Sequence, residues 1–344
     1  MAGSALAADS PIPDRRVATA ALAKRVIASL RKEMASGGRV ETQQVFGAAR
    51  LVIVAGKGGV GKTTVTAVIA HAAAAAGLRV AAIDLEGKPA LANMLADSPV
   101  EVTTITASDA LGEYLDTHGL GRVAKRLANS GVIEVVATAA PGIDDIVVLG
   151  KLKQLERSGE YDLVVVDGPA AGHAITFLLS PAGLLETVRS GPIRVQAQDV
   201  LEMFADPQRC QVVLVGLPEA TPINELIETA YMIEERVGVQ LGPVVMNGVD
   251  PGPEVVLSGT GDLSADDPLI AAAEFRNHRL AWQRGELERL AGELALDRYV
   301  LPQLPVAGIS AADVATLAAA LVAQLGDRAW DAPRPQTPVA PVTR

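Results

Sequence analysis

The chain has 344 residues, of which 49% are apolar and 3% aromatic, and its formal net charge is -10 with a sequence pI near 5.0. We expect one domain of about 275 residues, because this length and apolar content can bury one large core. The acidic balance disfavours a nucleic-acid partner, since counterion release requires a basic face. Cys210 is the only cysteine, which excludes an internal disulfide and favours a reducing, cytoplasmic compartment.

Residues 1–50 form an N-terminal extension ahead of the predicted fold. Between Asp14 and Met34, basic residues accompany apolar ones in a pattern that predicts a basic amphipathic helix. Such a helix could rest on an acidic membrane or partner surface, but packing on its own domain is the favoured interpretation.

A glycine-rich segment follows an apolar strand predicted at 51–55 and precedes an Ala-rich helix predicted from Thr63 to Ala76. It has the spacing G-x-x-x-x-G-K-T, and its residues are Gly56, Lys57, Gly58, Gly59, Val60, Gly61, Lys62, Thr63 and Thr64. Glycines let backbone N–H groups turn toward a polyphosphate, and the positive end of the helix favours the anion. Lys62 would reach the β- and γ-phosphates, and the Thr63 hydroxyl would hold Mg²⁺. The segment predicts binding of ATP or GTP.

Acids end the next two predicted strands. The strand at 79–84 ends in Asp84 and Glu86, which are two residues apart and therefore point to the same side of the backbone. One of these acids can serve the metal and the other can orient the attacking water. The β-branched run at 161–167 ends in Asp167, a natural outer ligand of Mg²⁺, although acids at this position are sometimes only helix caps.

The predicted strands alternate with helical stretches and lie near 51–55, 79–84, 132–138, 161–167, 211–216, 243–247 and 298–301. This order predicts an α/β fold with a mostly parallel sheet of about seven or eight strands, covered by helices on both faces. We place this domain at 51–327, with helical insertions around 91–128 and 184–206. The segment 328–344 is rich in Pro and Thr and is predicted to be disordered.

Lys57 adds a second cation to the loop, just after its first glycine. The segment KGGVGKTT resembles the deviant Walker A motif of a large SIMIBI-type P-loop ATPase group. That group includes the arsenite-pump ATPase, the tail-anchored-protein targeting ATPase, the ParA and MinD partitioning ATPases and the nitrogenase iron protein. The resemblance implies that Lys57 acts in trans on the nucleotide of a partner subunit. It also implies that Glu86, at the second acid of the ParA-like Asp-x-Asp, positions the attacking water.

The segment from Asp167 to His173 resembles switch II of the arsenite-pump and tail-anchored-targeting branch. Asn247 ends the strand predicted at 243–247, and the resemblance implies that its amide contacts adenine, whose edge offers both a donor and an acceptor. Pro302 lies in a loop that resembles the adenine-side loop of the family. The resemblance spans about 51–325 and implies ATP and Mg²⁺ as ligands.

One phosphate loop with a trans-acting lysine requires a second subunit, either in a homodimer or in a heterodimer with a paralogous ATPase. The expected hydrolysis of ATP to ADP and phosphate uses Lys57 and Lys62 at the γ-phosphate, and Thr63 and Asp167 at Mg²⁺. A lone cysteine cannot form the arsenite, zinc or iron–sulfur sites of particular members in their usual form.

Three functions stay open. The leading one is a dimeric ATPase that couples a cycle between open and closed states to an unknown protein client. The regions that would bind a client are poor in Met and carry charges, so their composition does not support delivery of tail-anchored proteins. The others are a MinD-like switch positioned on a membrane by the N-terminal helix and a nucleotide-locked scaffold with negligible turnover. Membrane contact depends on that helix and has no other support.

Overall fold

The computed structural model describes residues 49–117, 142–256 and 268–325, which lie in the compact unit Glu41–Arg344. The basic helix of the N-terminal extension, the strand predicted at 132–138 and the tail at 328–344 fall outside the described residues, as does part of the insertion predicted at 91–128.

Seven strands form a parallel sheet with the order β3-β2-β4-β1-β5-β6-β7. The strands are β1 (Leu51–Gly56), β2 (Val80–Asp84), β3 (Glu101–Thr104), β4 (Leu163–Ala170), β5 (Cys210–Gly216), β6 (Gln240–Val249) and β7 (Arg298–Pro302). The predicted α/β class and strand number are confirmed. β1 lies at the centre of the sheet, with β2 to β4 on one side and β5 to β7 on the other. Ligands of such sheets bind at the carboxyl ends of the strands, beside the point where the strand order reverses.

Helices cover both faces of the sheet. They are α1 (Lys62–Ala75), α2 (Ala90–Met94), α3 (Ala107–Thr117), α4 (Ile143–Ser158), α5 (Ala171–Thr187), α6 (Pro192–Ala205), α7 (Ala220–Met232), α8 (Pro268–Glu293) and α9 (Ala311–Leu325). A π-helical turn, Ile233–Val237, continues α7. No helix in the described ranges is both long enough and apolar enough to cross a bilayer.

The strands alternate their side chains between two cores. In β1, Leu51 and Ile53 join the core shared with α3 to α7, whereas Val52 and Val54 join the core shared with α1 and α9. Every residue of β1 is buried, as expected for a central strand between two helical layers. The phosphate loop connects β1 to α1, so the packing of these two buried elements holds both ends of the loop in place.

The two predicted helical insertions differ in their secondary structure within the described residues. The insertion around 91–128 was predicted to be helical, but it contains the edge strand β3 between the helices α2 and α3. Val102, Thr103 and Thr104 of β3 are β-branched, which favours an extended chain. The region 184–206 is largely helical, as predicted, through the end of α5 and α6. Cys210 is a buried core residue at the start of β5, and burial raises the pKa of its thiol.

Candidate nucleotide site

The glycine-rich loop joins β1 to α1 at the carboxyl edge of the sheet. Gly61 caps α1 with a φ of 89°, in the left-handed region, and a Cβ at this position would lie 2.2 Å from Nδ2 of Asn247. A residue with a side chain is therefore excluded by both backbone conformation and space. No side chain caps α1, so N–H groups of its first turn are available to an anion.

Lys62 begins α1 and folds back over the loop. Its Nζ donates a hydrogen bond to the carbonyl of Lys57 at 3.4 Å. Burial lowers the pKa of Lys62, while the carboxylates of Asp167 and Glu86 act in the opposite direction. The ammonium therefore lies close to the predicted acids and to the loop, where the phosphates of a nucleotide are expected.

The two carboxylate oxygens of Asp167 have different surroundings. The Thr63 hydroxyl donates to its Oδ2 at 2.6 Å, whereas its Oδ1 is buried and has no hydrogen-bond partner among the described residues. Burial raises the pKa of Asp167, which the Thr63 hydrogen bond and Lys62 only partly offset. A buried acceptor left unsatisfied destabilises a fold by about 1–3 kcal/mol, so the vacant oxygen favours a bound group at this position.

Asp84 lies directly opposite Asp167 in the register of β2 and β4. It is 4% exposed, and its Oδ1 accepts a hydrogen bond from the Glu86 N–H at 2.8 Å. A hydroxyl and one or two carboxylates, completed by water and phosphate oxygens, form the donor set that Mg²⁺ prefers. Thr63, Asp167 and Asp84 therefore have the chemistry that would suit this ion, and their role as its ligands stays a prediction.

The other two predicted catalytic groups are held by partners that sequence reasoning missed. Glu86 forms an ion pair with Lys88, and Lys57 forms an ion pair with Glu225 on α7. The side chains of Lys57 and Glu225 are 41% and 37% exposed, so this pair lies at the surface of the protomer. Lys88 could have been noticed two residues after Glu86, but no local signal connects Glu225 to the loop.

Asn247 and Pro302 lie at the ends of neighbouring strands. Nδ2 of Asn247 donates to the carbonyl of Val60 at 2.9 Å, so the amide packs directly on the phosphate loop. Pro302 is the last residue of β7, which pairs with β6. The contact with adenine stays a prediction for both.

Switch II runs from β4 directly into α5, which begins at Ala171. His173 is exposed in the first turn of α5, and its charge opposes the burial that raises the pKa of Asp145 at the start of α4. The backbone therefore runs from Asp167 into α5 without an intervening loop, and His173 on α5 lies near Asp145 on α4.

A strand, a glycine-rich loop and a helix lie at the switch point of a parallel sheet, and Lys62, Thr63 and Asp167 converge on the loop. This arrangement defines a P-loop nucleotide-binding protein. Residues 49–190 match the family model described as Anion-transporting ATPase. The ATPase BagA of Mycobacterium tuberculosis is 29% identical over 246 residues, which cover 63% of this chain and 71% of that protein. An arsenical pump-driving ATPase of Escherichia coli is 30% identical over 199 residues, covering 55% of this chain and 33% of that protein. Over these residues the chain is therefore similar to anion-transporting, ArsA-type ATPases.

Proposed function

We propose that this chain hydrolyses ATP as a dimer and couples the cycle to a protein client. The observation that carries the proposal is the convergence of Lys62, Thr63 and Asp167 at the phosphate loop, with one oxygen of Asp167 left without a partner. Similarity to the anion-transporting ATPase family supports the use of a nucleotide, usually with Mg²⁺. Dimerisation, the client and the roles of individual residues are the parts that we add.

In the proposed reaction the loop N–H groups and Lys62 bind the phosphates, and Lys62 neutralises charge on the terminal phosphoryl group. Glu86 accepts a hydrogen bond from a water molecule and directs it at phosphorus, after its carboxylate has left Lys88. Mg²⁺ held by Thr63, Asp167 and Asp84 would supply further positive charge to the phosphate oxygens. ATP becomes ADP and phosphate, and the proton of the attacking water leaves with the products.

Lys57 is proposed to act on the nucleotide of a second subunit. Within one protomer its ammonium is neutralised by Glu225, yet the pair is exposed and lies on the same sheet edge as the phosphate loop. Exposed ion pairs contribute only about 0–1 kcal/mol, so a triphosphate presented by a partner subunit can displace Glu225.

An apolar cleft of about 670 Å³ supports the coupling to a client. Its walls come from the start of α4, from α5 and from the start of α6, and include Leu179, Leu184 and Ile193. Since α5 follows switch II without a break, movement at Asp167 would change the shape of this cleft. A photocrosslinking residue at Thr187, in the cleft, should capture a protein in an ATP-dependent manner, whereas one at the exposed Glu228 of α7 should not.

The trans role is tested by mixing two inactive variants, Lys57→Ala and Asp167→Asn. Each alone should lose most ATPase activity. In a mixed dimer, the Lys57→Ala protomer retains Asp167 and receives Lys57 from its partner, so one of the two sites is complete. Random assortment should therefore restore about a quarter of wild-type turnover, because half of the dimers are mixed and each has one working site. Activity no greater than the sum of the two variants would refute the trans role.

A further inference from the structure

Lys88 is a cation in the candidate site that the sequence motifs do not account for. It follows Gly87, whose φ of 71° lies in the left-handed region that glycine adopts without strain. This turn brings the Lys88 ammonium back onto the Glu86 carboxylate, where the two form an ion pair. The Lys88 side chain is 71% exposed, so it packs against little and is free to reorient.

The sheet order places Lys88 beside the phosphate site. β2, which leads into Lys88, lies next to β4, and β4 lies next to β1. Because neighbouring strands are about 4.8 Å apart, the carboxyl ends of β2 and β1 are separated by about 10 Å. The intervening strand carries Asp167 at that edge. A lysine on a flexible four-carbon stem can cover the space between these strand ends.

The directions of the pKa shifts of Lys88 and Lys62 agree with a position of Lys88 beside the phosphate site. The pKa of Lys88 is raised, first by its hydrogen bond to Glu86 and more weakly by Asp167 and Asp84. Lys88 in turn contributes to the lowered pKa of Lys62, after the larger effect of burial. The ammonium groups of Lys88 and Lys62 therefore share one electrostatic environment.

The charges at this edge explain why an additional cation is useful. Asp84, Glu86 and Asp167 contribute three carboxylates, and a nucleoside triphosphate would add more negative charge. Of the two loop lysines, Lys57 is neutralised by Glu225 within the described part of the chain, whereas Lys62 lies beside Asp167. A mobile ammonium on the opposite side of Asp167 would reduce the repulsion between the phosphates and these acids.

We propose that Lys88 is a phosphate-binding residue whose ammonium leaves Glu86 and binds the terminal phosphate of a bound nucleoside triphosphate. The same movement frees the Glu86 carboxylate to orient water. The proposal rests on the proposed function for its ligand, but it requires neither a dimer nor turnover. It predicts that Lys88 discriminates triphosphate from diphosphate, because only the triphosphate carries the group that it binds.

The test compares the dissociation constants of ADP and of the slowly hydrolysed analogue ATPγS, both with Mg²⁺, by displacement of a fluorescent nucleotide. In Lys88→Met the dissociation constant for ATPγS should rise about tenfold, as expected for loss of one charge-assisted hydrogen bond, while that for ADP should change less than about twofold. Lys88→Arg should retain most of the discrimination. Lys151→Met is the matched control, because it removes the lysine of another Lys–Glu ion pair, the one with Glu113.

Equal weakening of ADP and ATPγS in Lys88→Met would overturn the proposal, since a general structural effect cannot select the γ-phosphate. Unchanged or tighter ATPγS binding would also overturn it and would leave Lys88 as a group that only restrains Glu86. If the mixed-variant experiment fails while the ATPγS effect of Lys88→Met is found, only the trans role is lost. If wild type binds neither nucleotide, the proposed function and this proposal both fail.

Discussion

The two ends of β4 carry aspartates in opposite situations. Asp162, just before the strand, accepts hydrogen bonds from the Arg79 N–H at 2.9 Å and from its guanidinium at 2.8 and 3.1 Å, which lowers the pKa of Asp162. Asp167, near the other end, has the Thr63 hydroxyl on one oxygen and no partner on the other among the described residues, and burial raises its pKa. The chain satisfies the acid at the amino edge and leaves the one at the carboxyl edge for a ligand.

The ion pairs of Glu156, at the amino edge of the sheet, differ in burial from the ion pairs at the carboxyl edge. At the amino edge, Glu156 is 0% exposed and binds both Arg50 and Arg209 at 2.6–2.8 Å. At the carboxyl edge, the pairs formed by Lys57 and by Glu86 are exposed. A buried pair cannot exchange partners without leaving a charge unpaired, whereas exposed pairs can. We therefore expect substitutions at the amino edge to change stability and those at the carboxyl edge to change function.

The largest expected effect on stability is that of Glu156→Ala. The substitution leaves Arg209, which is 15% exposed, without the carboxylate that raises the pKa of its guanidinium. Breaking a buried pair in this way costs about 3–5 kcal/mol, and because Arg50 can return to water we expect the lower end of that range. Urea unfolding measures the loss of free energy.

Glu113→Ala is the matched control for this substitution. It breaks the ion pair with Lys151, in which Glu113 is 56% exposed, and should cost less than about 1 kcal/mol. The nucleotide affinity of the folded fraction should be unchanged in both variants. A loss of affinity in folded Glu156→Ala would contradict the division between the two edges.

The sequence predicted the parts of the site that the backbone itself dictates. The spacing from Gly56 to Thr64 leaves few alternatives to a loop between strand and helix, and acids at the ends of apolar strands must meet at one sheet edge. Asp84 lies opposite Asp167 in the register of β2 and β4, and Thr63 donates a hydrogen bond to Asp167. Glu225 could not be predicted in the same way. It is 168 residues from Lys57, and their contact exists only because β5, which precedes α7, pairs with β1.

The edge strand β3 was missed, and the helical stretch expected between the last two strands was predicted without bounds. β3 has four residues, mostly exposed, and takes its extended form from pairing with β2. α8 has 26 residues but buries few of them, among which are Leu280 and Leu290, so its apolar periodicity is weak. Side-chain hydrogen bonds fix it instead, since Arg276 binds Asp250 and Asn277 binds the backbone of Val255 beyond β6.

Asp162 and Asp167 should also differ in how they make stability depend on pH, which is a smaller effect. The pKa of Asp167 is raised in the folded state above its value in the unfolded chain. Its ionised carboxylate therefore lowers the free energy of unfolding at any pH above the folded-state pKa. This loss of stability decreases as the pH falls toward the unfolded-state value of about 3.9. The folded-state pKa of Asp162 is lowered, so its contribution to stability is present above about 3.9 and is lost as the pH falls through the folded pKa.

Asp167→Asn and Asp162→Asn should therefore change stability in opposite directions near neutral pH. Without nucleotide and with Mg²⁺ chelated, we expect Asp167→Asn to be more stable than wild type by on the order of 1 kcal/mol, because it removes a buried charge that Thr63 and Lys62 only partly compensate. Asp162→Asn should be less stable by about 1 kcal/mol or less, since its pair with Arg79 is largely exposed. Urea unfolding at several pH values should show both differences shrinking toward zero in acid. A destabilised Asp167→Asn near neutral pH would mean that this carboxylate supports the fold, and the contrast between the two ends of β4 would then not reflect a ligand site.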